Sequence, residues 1–198
     1  IALLVLVSPA GAGAADTIFP GKHWDQATPE SQGVDPAKLA AAVNYLKSNT
    51  PRDVISKKAT VVFIYIGIND VWHSLSGRGT GKAKFEAGLR DIIARLTKSG
   101  AAVVLATPSV IGEKPTGTNR LDKMLDEYAA ISRKVAADTG AHLCDLRKAF
   151  IDYLKTKNPD KSHKGVLTGD GVHLNGAGNR FVADRAAEAI AAALRKRK

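Results

Sequence analysis

The sequence predicts an α/β fold in which helices wrap a parallel sheet. Three observations carry that reading. Thr60–Ile66 is an uninterrupted apolar run rich in β-branched residues, the composition of a parallel strand buried on both faces. Ala101–Ala106 is a second run of the same kind. Longer segments with apolar residues at helical spacing lie between and after these runs, so strand and helix alternate at the intervals of βαβ units.

Residues 1–15, 16–58 and 59–198 form three parts. The middle part is a turn-rich leader (Phe19-Pro20-Gly21, Ala27-Thr28-Pro29) containing one helix. Asp35 caps that helix, Pro36 occupies its first turn, and Leu39, Val43 and Leu46 form its stripe. Asn49-Thr50-Pro51 ends it. In the third part, Lys82–Lys98 is amphipathic, with Phe85, Leu89, Ile92, Ile93 and Leu96 on one face and Gly100 as its stop. Arg120–Thr139 carries Leu121, Leu125, Tyr128, Ile131 and Val135 on its stripe. Ala141–Cys144 is a short third strand, followed by a helix near Leu146–Lys155 and a closing helix from about Gly178 to Arg195. Ligands of such sheets bind beyond the carboxyl ends of the strands. Gly67–Asp70 and Thr107-Pro108-Ser109 both fall there.

With 198 residues, 44% of them hydrophobic, the chain suffices for one core of ordinary size. Its only methionine is Met124, so the first residue reads as a fragment boundary. Ile1–Val7 is apolar and leads through Ser8-Pro9 into the small-residue run Ala10–Ala15, where Ala12-Gly13-Ala14 fits a signal cleavage pattern. An exported (periplasmic or extracellular) protein is expected, without a membrane span, because the run is too short to cross a bilayer. The single cysteine, Cys144, excludes an internal disulfide and reads as a small core residue. The formal charge is +10, from 29 Lys and Arg against 19 Asp and Glu. The basic clusters, Lys155–Lys164 and Arg195–Lys198, lack interleaved aromatics and any nucleic-acid motif, which argues against nucleic acid as a partner.

Two motifs carry chemistry. In Asp170-Gly171-Val172-His173 a carboxylate precedes a histidine by three residues on a tight loop, as needed to fix the tautomer of a general base. Gly67-Ile68-Asn69-Asp70 follows the first strand. Its glycine permits a sharp exit, Asn69 offers an amide donor, and Asp70 can hold the loop by accepting backbone hydrogen bonds.

The order and spacing of these motifs resemble the SGNH (GDSL-like) hydrolases, a family of esterases, lipases and carbohydrate deacetylases. Gly67-x-Asn69-Asp70 is similar to the family's third block and Asp170-x-x-His173 to its fifth, and the likeness extends over about residues 59–194. The resemblance implies a flavodoxin-like three-layer parallel sheet and hydrolysis of acyl esters or acetylated sugars. It also implies His173 as base, Asp170 as its orienting partner, Asn69 as oxyanion donor, and Gly67 and Asp70 as shapers of the donor loop. No metal or organic cofactor is implied.

The family's first block, Gly-Asp-Ser, is absent from the chain. Upstream serines are Ser8, Ser31, Ser48 and Ser56, with Ser31 the least unsuitable nucleophile. The leader from about 19 to 50 resembles the start of secreted β-lactamase-like serine hydrolases, although no Ser-x-x-Lys follows. The domain therefore reads as lacking its first strands, which would leave the strand at Val61–Ile66 an unpaired edge and a template for self-association. A non-catalytic ester- or carbohydrate-binding remnant is the rival reading.

Overall fold

The computed structural model describes residues 57–195, with Asp35, Ala37 and Ile55 from the segment before them. The signal segment, nearly all of the leader and the four upstream serines lie outside the described residues. Asp35 Oδ1 accepts a hydrogen bond from the backbone N–H of Ala37 at 2.8 Å, and the rest of the expected leader helix lies outside the described residues.

Strands β1 (Val61–Tyr65), β2 (Ala102–Ala106) and β3 (His142–Cys144) form a parallel sheet in that order. Val61 lies opposite Ala102, and Val104 opposite His142. Helix α1 (Ile68–Trp72) leaves the end of β1, and α2 (Lys82–Lys98) returns the chain to β2. Helix α3 (Asp122–Thr139) crosses from β2 to β3, and α4 (Leu146–Lys157) and α5 (Gly176–Arg195) follow. Every strand and long helix expected in this region is present, with ends shifted by at most two residues. The sequence-based α/β fold class stands.

Consecutive crossovers of one hand place α2 and α3 on the same face of the sheet, where they pack against each other. Phe85 of α2 meets Tyr128 of α3 with ring centroids 4.9 Å apart. Alternation along the strands sends Phe63, Val104 and Ala106 to the other face. There they form one cluster with Leu146, Phe150 and Leu154 of α4 and Val182, Ala189 and Ala193 of α5. Each Val, Leu or Phe side chain among them, fully buried, stabilises the fold by about 1.5–3 kcal/mol. Cys144 belongs to this cluster as a free thiol, and burial pushes its pKa up to about 11.

Two expectations need correction. Ile92 is 41% exposed, because Phe85, Leu89, Ile93 and Leu96 already define the α2 stripe and residue 92 falls at its margin. Gly67–Asp70 is more regular than a loop: Gly67 (φ 108°) caps α1, and Asn69 and Asp70 sit within the helix. Helix α5 starts at Gly176, where Asn175 Oδ1 accepts the Gly178 N–H at 2.9 Å. Gly178 has no alternative there, since a Cβ on it would lie 1.9 Å from the Leu167 carbonyl oxygen. Among the described residues, no helix is long and apolar enough to cross a membrane.

Candidate active site

The carboxyl ends of the strands carry the segments that chemistry requires. The stretch from Gly165 to Asn175 folds back on itself. Gly165 N–H donates to Thr168 O (2.8 Å), Gly169 N–H to His173 O (2.8 Å), and Asn175 N–H to Leu167 O (3.0 Å). Asp170 and His173 occupy its tip. Asp170 Oδ1 accepts the N–H groups of Val172 and His173, both at 2.8 Å, and Oδ2 lies 2.6 Å from His173 Nδ1. One carboxyl thus fixes both the turn and the ring, leaving Nε2 as the nitrogen free for proton exchange.

The His173 side-chain contact, reinforced by the His173 and Val172 amides, holds the Asp170 carboxyl far below its ordinary value of 3.8. A carboxyl depressed in the folded state stabilises it fully above the ordinary value, and that contribution fades as pH falls below it. Both side chains are more than half exposed, so the contribution is small. Melting curves of the native chain and Asp170→Asn should therefore stay offset from pH 5 to 7 and converge below pH 3.8. An offset that persists unchanged to acid would refute this account.

Facing the pair is the end of β1. A cavity of about 500 Å³ is lined by Tyr65, Gly67, Asn69, Asp70, Val172 and His173, among others. Asn69 is half-buried, and its side-chain amide bonds to no other described residue. Asp70 Oδ1 accepts the Thr80 N–H at 3.1 Å, the bracing expected of it. The geometry therefore places Gly67, Asn69, Asp70 and His173 around one space. No serine, threonine or cysteine is among the described residues lining it. Tyr65 offers no substitute nucleophile: burial pushes its phenol up to about 12, and its hydroxyl donates to Ser109 Oγ at 2.7 Å.

Two residues near the site have no precedent in the sequence reading. Trp72 of α1 stands edge-on to His173, ring centroids 5.4 Å apart, and also meets His73 at 5.3 Å. Its place two residues after Asp70 was the available signal. Glu113, in the segment after β2, is 1% exposed. Its Oε2 accepts Val166 N–H (2.8 Å), and its Oε1 accepts Leu167 N–H (2.7 Å), Thr168 N–H (2.5 Å) and Thr168 Oγ1–H (2.8 Å). Gly112 N–H donates to Gly171 O at 2.7 Å, and Glu113 N–H to His163 O at 2.8 Å. The Asp170–His173 turn is thereby fastened to the end of the middle strand. Among the described residues, no His, Cys, Asp and Glu cluster could hold a metal ion.

A family model of GDSL-like lipases/acylhydrolases matches residues 10–181. The chain belongs to that family. Its match starts well ahead of β1 and takes in the segment that holds Ser31, Ser48 and Ser56. An acetylxylan esterase of Geobacillus stearothermophilus is 30% identical over 146 residues, 71% of this chain and 64% of that protein. This GDSL-like chain thus spans less than two thirds of that relative's length. The crystal structure of the acetyl xylan esterase AlAXEase superposes with a TM-score of 0.70 at 44% identity, covering 73% of this chain and 74% of that one. Structures of Axe2, an acetylxylan esterase from Geobacillus stearothermophilus, match with TM-score 0.62 at 27% identity, covering 75% of this chain and 67% of theirs. They include catalytic mutants in which a serine, an aspartate or a histidine is replaced by alanine, the last two lying three positions apart.

Proposed function

We propose that this GDSL-like chain is an exported esterase that removes acetyl groups from a carbohydrate. The observation that carries the reading is the Asp170–His173 pair, at 2.6 Å, sharing a cavity with the unengaged amide of Asn69. In this reading His173 Nε2 takes the proton of a serine hydroxyl as its oxygen bonds to the acetyl carbon. The same proton then passes to the leaving sugar oxygen, and water repeats the sequence to release acetate. Asn69 donates to the oxygen that becomes negative, and Gly67 and Asp70 hold that donor in place. The nucleophilic serine lies outside the described residues. Likeness to acetylxylan esterases over about three quarters of the chain supports acetylated sugar as substrate.

The absence of a serine, threonine or cysteine among the described lining residues favours one alternative, a binding module that keeps the cleft without turnover. A serine-directed fluorophosphonate separates the two. The esterase reading expects labelling of the full chain, hydrolysis of p-nitrophenyl acetate, and loss of at least about 10²-fold in rate for His173→Ala. A chain that neither labels nor hydrolyses the ester is the binding module.

A further inference from the structure

A second cavity, of about 510 Å³, adjoins the Asp170–His173 turn through Gly112. Its volume suits a small ligand or a sugar residue. Val110, Ile151 and Leu154 give it an apolar lining. Lys114, Lys155 and Lys161 also line it; all three are exposed, and none pairs with an acid among the described residues. The two acids of the lining are already engaged. Glu113 is occupied by the amides of residues 166–168, and Asp122 pairs with Arg147 at 2.9 Å. Three ammonium groups therefore border the hollow, and its two carboxylates are already bonded from within the protein.

The lysine-bearing segment is held in place. Asn158, 8% exposed, accepts Ser162 N–H at Oδ1 (2.9 Å) and donates from Nδ2 to Glu113 O and Ser162 O, both at 2.8 Å. Lys161 N–H donates to Asn158 O (3.1 Å), and Lys161 sits at φ 53°, a left-handed conformation that lysine seldom adopts without compensation. Asn119 also lines the cavity, and its Oδ1, sealed against Gly112, has no hydrogen-bond partner among the described residues.

We propose that this cavity is a subsite for a carboxylate-bearing sugar, a uronic acid residue of the glycan whose acetyl ester His173 faces. A sugar ring with one anionic group matches an apolar hollow bordered by three cations. The inference rests on the esterase reading for the identity of the glycan, but its test needs no turnover.

Calorimetry on the full chain compares a xylo-oligosaccharide carrying a glucuronic acid branch with the same oligosaccharide unbranched. The acidic ligand should bind about five- to tenfold more tightly at low salt. Lys114→Gln/Lys155→Gln/Lys161→Gln should remove that preference. Lys57→Gln/Lys84→Gln/Lys98→Gln, which takes the same charge from exposed positions elsewhere, should keep it. Equal binding of the two ligands, a preference surviving the first triple variant, or its loss in the second would each overturn the proposal. A preference retained by a chain that neither labels nor hydrolyses esters would uphold the subsite and reject the esterase reading.

Discussion

Arg147→Met should destabilise the domain by about 3–5 kcal/mol, the cost of leaving a buried charge without its partner. Arg147 is 1% exposed although it lies in the first turn of α4. Its Nη2 donates to Asp122 Oδ1 (2.9 Å), Nε to Asp126 Oδ1 (2.8 Å) and Nη1 to Ser109 O (3.1 Å), while its backbone N–H donates to Thr107 Oγ1 (2.8 Å). One guanidinium thus joins α3, α4 and the segment after β2. Methionine fills the space but leaves Asp122, itself 2% exposed, facing an apolar side chain. Adding Asp122→Asn should recover part of the loss, because the neutral amide removes the stranded charge. Urea denaturation of the single and double variants checks this, and additive losses would disprove the coupling.

Glu113→Gln should cost about 2–4 kcal/mol and loosen the Asp170–His173 turn. The carboxyl of Glu113 meets donors only, at both oxygens. A glutamine must turn its NH₂ toward one of those N–H groups, so one bond becomes an opposition of donors and the others lose their charge assistance. Global stability will report part of this. The specific sign is faster amide hydrogen exchange at Val166, Leu167 and Thr168 than at the α2 amides. Unchanged exchange at those three positions would show that Glu113 does not fasten the turn.

The strands and helices are legible in the sequence because hydrophobic period is a local property. Phe85, Leu89, Ile93 and Leu96 announce their helix within 12 residues of chain. Asp170 and His173 are legible for the same reason, since carboxyl, turn and ring all lie within one loop. Glu113 is not. Its partners are 53 to 55 positions away, and nothing in Gly112-Glu113-Lys114-Pro115 separates it from an exposed loop acid. Arg147 is hidden in the same way, as one cation among the charged residues of α4. The edge-on contact of Trp72 with His173 needs the two ends of the domain brought together, which no spacing in the sequence encodes.

Gly112 and Gly171 touch through backbone atoms alone, and both face the His163 ring. A Cβ on Gly112 would lie 2.8 Å from His163 Cε1, and one on Gly171 would lie 2.7 Å from Nε2. Such a joint behaves like a keyed coupling. Surrounding loop residues can drift in sequence without disturbing it, yet a side chain at either glycine would strain a backbone held at positive φ and push the His163 ring aside. Inherited variation should therefore gather around this seam and spare its two members.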